Sequence, residues 1–341
     1  MLSKSCVTEL AAIRKSGLLI GFEGGGTKTT CLIVGHDGSV RGRGVGGPSN
    51  ILVVGKEKTS GSLLAAIKDA TGGKGLGEPA SALCIGAAGS GNPEGKKLMQ
   101  EVLSSLQLSE RNVIVHDGVI ALMGATAGKP GIVLISGTGS VCFGMNSGGE
   151  FGRASGWGYI IGDEGSGYDI ARRAMVAALR AHDMRGEKTV LVKKLKARLG
   201  LSSIEDLVKK VYAEAMPRDQ VSALAPLVLE AAREGDVVAK DLLEYAGKEL
   251  GVAAVAVARQ LDMLEEEFEV ATMGGVLDNF GESLLAPLYI TIHDSAPHAK
   301  LVRARFKPAV GAVIMAAKEI GLCIEGEFLH NLGRDVEKSS I

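Results

Sequence analysis

The sequence predicts an α/β protein built from two related lobes, the second of which is enlarged by helices. Short runs of β-branched and apolar residues alternate with helical segments between Leu18 and Gly118, a pattern typical of α/β folds. A strand, a glycine-rich turn and a second strand at Leu18–Val34 return in weaker form at Gly131–Met145. The stretch from Asp169 to Leu264 is almost entirely helical in pattern. A chain of 341 residues is also long enough for two domains.

The first lobe is predicted to contain five strands and two covering helices. β-Branched and apolar runs bounded by glycine or polar turns mark the strands, and apolar residues at helical spacing mark the helices. The predicted strands are Leu18–Phe22, Thr27–Val34, Ser39–Gly44, Ala82–Gly89 and Asn112–Gly118, and the predicted helices are Val54–Thr71 and Glu94–Leu108.

The second lobe is predicted to begin with two strands around the turn in Gly131–Met145 and to continue with helices. These helices are Asp169–His182, Ile204–Ala215 and Val221–Leu261, and a strand in Glu267–Asn279 ends in two glycines. A last helix over Lys307–Gly321 has Pro near its start and Gly past its end. We therefore expect residues 1–117 with 307–341 in a small lobe and residues 118–306 in a large one.

Composition excludes several classes of protein. The chain is 46% apolar and 23% charged with a net charge of −1, so neither nucleic acid nor an anionic membrane surface is an expected partner. The five cysteines are scattered, with no CxxC pair and no zinc spacing. Charged residues interrupt the N-terminus and no apolar run reaches about 18 residues. We expect a cytoplasmic protein with reduced thiols, and residues 1–16 as an extra leader whose role the sequence does not specify.

The glycine-rich stretch GFEGGGTKTT, Gly21–Thr30, is the first candidate phosphate-binding motif. It misses the Walker A spacing by one residue, and a β-branched strand follows where a P-loop requires a helix. A second stretch, GRGVGG at Gly42–Gly47, matches the GxGxxG pattern but runs into Pro48 and not into a helix. We interpret its glycines as a structural turn.

A hairpin tip of glycines and threonine remains as the better interpretation of the first motif. Successive backbone N–H groups at such a tip form an anion site, and glycine lets phosphate oxygens approach the chain. Gly25, Gly26 and Thr27 would bind phosphate, and Lys28 either adds a cation or points to solvent. The second copy, Ser136–Ser140, contributes Thr138 and Gly139. Either turn alone could be an ordinary tight turn, but two facing each other across a cleft would grip a triphosphate.

Beyond these two turns, the chain resembles the BadF/BadG/BcrA/BcrD ATPase branch of the actin/Hsp70/hexokinase superfamily, which includes N-acetylglucosamine kinase and archaeal ATP-dependent hexokinase. The matching stretches include GFEGGGTKTTCLIV, VHDGVIALMG, GIVLISGTGS, SGWGYIIGDEGSGYDIARRA and TMGGV, and the match runs from Gly21 to Gly321. The resemblance implies two ribonuclease H-like (actin-like ATPase) lobes around a central cleft. It also implies ATP and Mg²⁺ as cofactors, a sugar as substrate and a homodimer.

The resemblance also implies roles for single residues. Asp117 would be the general base that takes the proton of the attacking sugar hydroxyl; from the residues alone, a helix-capping Asp is an equal alternative. Glu23 would hold Mg²⁺ through water. The nucleotide would contact Ala223, Gly274, Gly275 and Asn279. Besides Asp117, the sugar-side positions are Asn50, Ser140, Gly156, Trp157, Gly158 and Asp163.

One position departs from the resembled family. Relatives carry Ala where this chain has Gly167 in GDEGSGY, close to the 2-substituent of the sugar. A missing methyl group predicts more room there, which leaves the preferred 2-substituent open.

The implied activity is transfer of the γ-phosphoryl group of Mg-ATP to a hexose or N-acetylhexosamine, at the 6-hydroxyl. Glucose, mannose, glucosamine and N-acetylglucosamine all remain possible acceptors. The alternative is the activator ATPase of a radical acyl-CoA dehydratase, which drives electron transfer from an iron–sulfur cluster. That class needs a suitably spaced cysteine pair and an acidic second loop, whereas this chain has SGTGS at that loop.

Overall fold

The computed structural model describes residues 17–338, without the side chains of the last two. The chain divides into two compact units, one ending at Lys129 and resuming at Ala304, the other running from Pro130 to Arg303. The predicted leader, residues 1–16, lies outside the described residues. The first boundary falls after residue 129 and not after 117, because the helix that begins at Asp117 packs within the first unit.

The first unit contains a five-stranded sheet with the order β3-β2-β1-β4-β5. The first three strands are antiparallel neighbours, and β4 and β5 continue the sheet parallel to β1. The strands are β1 Leu18–Gly24, β2 Thr29–Gly35, β3 Val40–Gly46, β4 Ala82–Ala87 and β5 Asn112–His116. The five predicted strands are therefore confirmed, with shifts of a few residues at their ends.

Helices cover both faces of this sheet, because adjacent residues of its strands point to opposite sides. Ile20 packs in one core with α1 and α2, and Leu19 packs in a second core with α3, α12 and α13. The helices are α1 Ile51–Ala70, α2 Pro93–Leu106, α3 Asp117–Ala125, α12 Pro308–Glu319 and α13 Glu327–Lys338. A Cβ atom at Gly311 would collide with the Ile120 backbone, so this glycine allows α12 to lie directly against α3.

The second unit repeats the strand order of the first. Its sheet runs β10-β9-β6-β7-β8, with β6, β7 and β8 antiparallel and β9 and β10 parallel to β6. The strands are β6 Gly131–Ser136, β7 Ser140–Met145, β8 Phe151–Ser155, β9 Glu269–Met273 and β10 Lys300–Arg303. The predicted internal repeat is thus a repeat of a whole sheet.

Between β8 and β9 lies the predicted helical segment, which one large apolar core holds together. The stretch predicted as one helical run from Val221 is broken into three helices, and Ile204–Ala215 is a single turn followed by a π-helical turn at Lys209–Ala213. The helices of this unit are α4 Gly167–His182, α5 Leu191–Leu199, α6 Asp206–Val208, α7 Arg218–Ser222, α8 Ala225–Arg233, α9 Val237–Gln260, α10 Gly275–Asn279 and α11 Glu282–His293. Within residues 17–338, none of the helices meets the length and apolarity that crossing a membrane requires.

The GRGVGG stretch corrects one prediction. Gly42, Gly44 and Gly46 lie inside β3 and not in a turn. A Cβ atom at each would run into the backbone carbonyl oxygens of Ala70, Ala66 and Ser62 on α1. The alternating glycines therefore let α1 lie directly on the strand, which is a packing role and not a nucleotide-binding one.

Candidate functional site

The first predicted phosphate turn is the tip of the β1–β2 hairpin. The Gly25 N–H donates to the Lys28 carbonyl oxygen at 3.0 Å, and Gly26, Thr27 and Lys28 are exposed. The next side chain, Thr29, is buried, and its hydroxyl lies 2.7 Å from the Ser49 hydroxyl. A rigid strand pair therefore presents an exposed tip of glycines and threonine, as a backbone anion site requires.

Glu23 lies at the end of β1, one residue before Gly24. Burial raises the pKa of its carboxyl, and the charge of Asp117 raises it further; the cations of Lys28, Lys307 and Arg43 oppose this rise without cancelling it. Two acidic side chains thus share one small region of the first unit with three basic ones. Keeping Glu23 ionised in the folded protein therefore costs folding free energy.

We expect Glu23→Gln to raise the melting temperature by about 1–3 °C at pH 8. The folded protein holds the Glu23 pKa above the ordinary value of 4.5, so this group costs stability as the pH rises through its folded pKa. Below about pH 4.5 the carboxyl is protonated in both states and the gain should vanish. Thermal unfolding at pH 8 and pH 4 measures both effects.

The exposed Glu57 of α1 supplies a control, since Glu57→Gln should leave both melting temperatures unchanged. A Glu23→Gln protein that melts at or below the wild-type temperature at pH 8 would contradict this account.

Asp117 is the first residue of α3, directly after β5. Its Oδ1 accepts the Gly118 N–H at 3.0 Å and lies 2.9 Å from His116 Nδ1. Burial alone would raise the pKa of this carboxyl, but the hydrogen bond and charge interaction with His116, together with the Gly118 N–H, hold the pKa below its ordinary value. Asp117 is therefore a carboxylate at neutral pH. The N-cap of α3 is His116, whose Nδ1 also accepts the Gly118 N–H at 3.0 Å, so Asp117 is the first helical residue and not the cap that the alternative interpretation expected.

Two buried oxygens without partners lie on or against a turn that also contacts His116. Neither Asn50 Oδ1 nor Ser90 Oγ has a hydrogen-bond partner among the described residues. A Cβ atom at Gly89 would lie 2.6 Å from Asn50 Oδ1, and one at Gly91 would lie 2.5 Å from His116 Cδ2. The Gly89–Gly91 turn therefore lies against Asn50 on one side and against the neighbour of Asp117 on the other. Buried polar atoms are rarely left unpaired, so these two oxygens suit a hydroxyl-bearing or amide-bearing ligand.

In the second unit, both predicted nucleotide motifs lie at the carboxyl ends of adjacent parallel strands. β6 ends at Ser136 and β9 at Met273, with Ile135 opposite Met273 in the register. Thr138 is exposed at the tip of the β6–β7 hairpin, and Asn279 Nδ2 donates to the Gly275 carbonyl oxygen at 2.7 Å. In open α/β sheets, ligands bind beyond the carboxyl ends of parallel strands.

Gly274 follows β9 and lies directly against Ser136 at the end of β6. Its φ is +106°, and a Cβ atom would lie 2.8 Å from the Ser136 carbonyl carbon. Gly275 has nothing within 4 Å of its Cβ position. The first glycine is therefore required by the backbone, whereas the second leaves open surface.

The segment Gly156–Asp163 carries four of the predicted sugar residues. Trp157 is 66% exposed, so it is not a core residue, and the Arg153 guanidinium lies 4.7 Å from its ring centroid. Asp163 is buried; its Oδ1 accepts the Gly158 N–H at 3.2 Å, and its Oδ2 accepts from Arg218 at 2.6 Å. The Ser140 hydroxyl donates to the Glu164 carbonyl oxygen at 2.7 Å, so the segment is fastened to the β6–β7 turn.

Gly167 corrects another expectation, because the space beside it is filled. A Cβ atom there would lie 2.5 Å from Ser222 Oγ and 3.1 Å from the Gly137 carbonyl oxygen. Ser222 ends α7, and Ala223 is the exposed residue that follows it. The methyl group missing from Gly167 is thus replaced by a serine hydroxyl and leaves no enlarged pocket.

We expect Gly167→Ala to destabilise the protein by about 1 kcal/mol because the added methyl group overpacks this site. In a unit of this size that corresponds to a melting temperature lower by about 2–4 °C. Gly167→Ala combined with Ser222→Ala should recover part of the loss, since the hydroxyl that the methyl group meets is gone.

Thermal unfolding of both single variants and the double variant measures this coupling. Strictly additive melting shifts would show that Ser222 does not fill the space beside Gly167.

Two residues escaped the sequence interpretation as parts of the site. Lys307 precedes α12 and acts on Glu23 through its charge, an interaction between distant parts of the chain. Arg218 follows Pro217 in a segment without a motif, and the sequence carries no signal for its contact with Asp163.

Comparison with known proteins shows what the chain is similar to. The sequence profile of the BadF/BadG/BcrA/BcrD ATPase family matches residues 20–316. The N-acetylmuramic acid/N-acetylglucosamine kinase of Clostridium acetobutylicum is 38% identical over 302 residues, which cover 88% of this chain and 98% of that protein. The N-acetyl-D-glucosamine kinase of Dictyostelium discoideum is 30% identical over 312 residues, which cover 88% of this chain and 97% of the relative.

A solved structure shares the fold. A Chromobacterium violaceum protein provisionally assigned as an N-acetylglucosamine kinase superposes with a TM-score of 0.66 at 29% identity, over 88% of this chain and 98% of the other. The predicted fold class, α/β with two lobes of the actin-like ATPase type, is thereby confirmed.

Proposed function

This chain belongs to the BadF/BadG/BcrA/BcrD ATPase family, and from that membership we propose that it is an ATP-dependent sugar kinase. It transfers the γ-phosphoryl group of ATP to the 6-hydroxyl of a hexose or N-acetylhexosamine, with N-acetylglucosamine as the leading acceptor. The two curated relatives support the acceptor class, because both are N-acetylglucosamine kinases. A homodimer also remains part of the proposal.

One observation carries the proposal within the first unit. The neighbour of the ionised Asp117, His116, contacts the Gly89–Gly91 turn, and the buried oxygens of Ser90 on this turn and of Asn50 against it have no partners. A sugar offers the hydroxyl and amide groups that these oxygens lack. Asn50 and Ser90 orient the sugar, and Asp117 accepts the proton of the hydroxyl as its oxygen attacks phosphorus. General-base assistance of this kind contributes about 10²–10⁴-fold in rate.

In the second unit, Thr138 and Gly139 bind phosphate oxygens, and Gly274 and Gly275 lie against the nucleoside, with Ala223 and Asn279 nearby. Gly25, Gly26, Thr27 and Lys28 bind phosphate from the first unit. Support for these roles is the exposure of both hairpin tips and the placement of Thr138 and Gly275 at the carboxyl ends of adjacent strands. Trp157, Gly156, Gly158, Ser140 and Asp163 form the sugar side.

Magnesium fits the residues present. Glu23 is a partly buried carboxylate, and its burial disfavours the negative charge more than the neighbouring cations favour it. A further cation nearby would stabilise that charge. Among residues 17–338, no group of three or more His, Cys, Asp or Glu side chains is arranged to hold a metal ion. Mg²⁺ keeps most of its waters and needs one or two carboxylates, so Glu23 holding it through water is consistent with this donor set. When bound, the ion neutralises phosphate charge.

The dehydratase-activator alternative is less well supported. Cys31, Cys84 and Cys142 lie inside strands, and burial raises the pKa of each thiol far above its ordinary value. Iron–sulfur clusters need thiolate ligands. Among the described residues, Cys323 is the one exposed cysteine, which leaves no accessible pair.

A coupled assay of ADP release tests the proposed function. The full chain is mixed with Mg-ATP and with glucose, mannose, glucosamine or N-acetylglucosamine in turn. We expect sugar-dependent ADP release, largest with N-acetylglucosamine, and a product phosphorylated at O6 by ³¹P NMR. ADP release at the same rate with and without every sugar would contradict the kinase and favour a simple ATPase.

A further inference from the structure

Asp169 is a buried acidic residue of the second unit that the proposed function leaves without a role. It lies in the first turn of α4 and is 5% exposed. Its Oδ1 accepts from Arg172 at 3.0 Å, and Arg173 Nε lies 3.0 Å from each of its carboxylate oxygens. A carboxylate is costly to bury unless cations and hydrogen bonds surround it. The two arginines therefore supply the opposite charge that the burial of Asp169 requires.

The carboxylate of Asp169 reaches one residue beyond the helix that carries it. Ser166 is the N-cap of α4, and its hydroxyl accepts the Asp169 N–H at 3.2 Å. In a capping box, the acidic side chain three residues after the N-cap accepts the N–H of the N-cap itself. Here the Ser166 N–H donates to the Asp163 carbonyl oxygen at 3.1 Å, and Asp169 Oδ2 accepts the Gly165 N–H at 3.3 Å. Asp169 thus holds the segment that precedes α4.

That segment, residues 163–167, is fastened to both strands of the β6–β7 hairpin. The Gly165 carbonyl oxygen accepts from the buried Ser136 hydroxyl at 2.9 Å, and the Gly167 N–H donates to the Gly137 carbonyl oxygen at 2.8 Å. The hydroxyl of Ser140, on the other strand, donates to the same segment. The proposed phosphate turn lies between these bonds, so a shift of the segment would shift the turn.

The far end of the network is anchored on α9. Arg173 Nη2 donates to the Tyr245 hydroxyl at 2.7 Å, and the guanidinium carbon lies 3.8 Å from the Tyr245 ring centroid. Arg172 is less constrained, because its side chain is 45% exposed against 29% for Arg173. A continuous set of contacts therefore leads from Tyr245 through Arg173 and Asp169 to Gly165.

We propose that Asp169, held by Arg173 and Tyr245, is a positioning residue that fixes residues 163–167 and, through them, the phosphate turn and the Asp163 carboxylate. This inference rests on the proposed kinase function. In this role Asp169 acts through the Gly165 backbone and not on the substrate itself. A misplacement of about 1 Å in such a support lowers a rate by about 10²-fold, so the network should matter for turnover as well as for stability.

The test measures sugar-dependent ADP release well below the melting temperature of each variant, so that all of the protein is folded. In Asp169→Asn the amide keeps an acceptor for the Gly165 N–H but presents N–H groups to Arg173, so the two contacts compete. We expect kcat/KM for ATP to fall by about 10–100-fold, through a lower kcat and a higher KM for ATP. Arg173→Met should give a smaller loss, Arg173→Lys should retain more activity than Arg173→Met, and Arg172→Met should have the least effect.

Asp236 supplies the matched control, because it is an aspartate of the same unit with a purely structural place. It is the N-cap of α9 and accepts the Ala239 N–H at 2.9 Å and the Val190 N–H at 2.8 Å. Asp236→Ala should lower the melting temperature by about 2–5 °C and leave kcat and both KM values of the folded protein unchanged.

A second measurement needs no activity. Hydrogen exchange of the peptide that spans residues 163–167 should be faster in Asp169→Asn than in the wild type, and unchanged in Asp236→Ala. If Asp169→Asn does not fold, Arg173→Met and Arg173→Lys carry both measurements.

Unchanged kinetic constants in the folded network variants would overturn the positioning role, whether or not hydrogen exchange is faster. A kinetic loss without faster exchange of residues 163–167 would overturn it too, because the loss would then arise elsewhere. A wild type that releases no additional ADP with any sugar would instead refute the kinase itself.

Discussion

Replacing Asp117 with asparagine is expected to lower kcat for sugar phosphorylation by about 10²–10⁴-fold, because an amide cannot accept the proton of the attacking hydroxyl. The fold should be unaffected, since asparagine keeps the oxygen that accepts the Gly118 N–H at 3.0 Å. The melting temperature should therefore stay close to that of the wild type. Steady-state assays of ADP release at saturating sugar and ATP measure the effect on kcat.

Asp37 provides a control for charge removal. It is an aspartate of the first unit whose pKa is also lowered, by hydrogen bonds from Ser39, and it lies in a surface turn. Asp37→Asn should retain full activity. If Asp117→Asn kept more than a tenth of the wild-type kcat, Asp117 would have only a structural role at the start of α3, and the proton acceptor would have to be another group.

The second large effect concerns the backbone beside the β6–β7 turn. Gly274→Ala should destabilise the second unit by about 2–4 kcal/mol, because the new methyl group combines a positive φ with a collision against the Ser136 carbonyl group. The collision pushes apart the ends of β6 and β9, where the proposed nucleotide residues lie. We therefore expect a melting temperature lower by about 5–15 °C and, in the folded fraction, a higher KM for ATP.

The neighbouring glycine is a close control for this substitution. Gly275 has open space at its Cβ position, so Gly275→Ala should change the melting temperature by less than about 1–2 °C. Comparable melting temperatures for the two variants would show that the tight approach of Gly274 to Ser136 is not a feature of the folded protein.

Eight of the ten strands were predictable because their signals are local, whereas β8 and β10 were missed. β-Branched runs such as Thr29–Gly35 end at glycine turns, and the same combination at Gly131–Met145 makes the internal repeat visible in the amino-acid order itself. The helix beginning at Pro308 was equally well marked by its flanking proline and glycine. Helix α11 was missed because Pro287 lies inside it, and an internal proline usually argues against a helix.

The contacts of the site were less predictable, because they join residues that are far apart in the sequence. In the sequence, the glycines of β3 look like turn glycines. Their packing role becomes visible only in the folded protein, where α1 lies on them. The sequence suggested empty space beside Gly167, because Ser222, which fills that space, is more than fifty positions away along the chain. Motif resemblance located Asp117 and Asp163, but the partner of Asp163, Arg218, belongs to no motif.

The second unit is one continuous stretch of the chain, whereas the first combines two separate stretches. Residues 130–303 are continuous, whereas one face of the β1–β5 sheet is covered by α12, which comes from residues 308–319 near the end of the chain. During synthesis, the second unit therefore has all its strands before the first has its full core. We expect the newly made first strands to expose Leu19, Leu32 and Val34 until α12 has been synthesised, a period in which a chaperone would have apolar surface to bind.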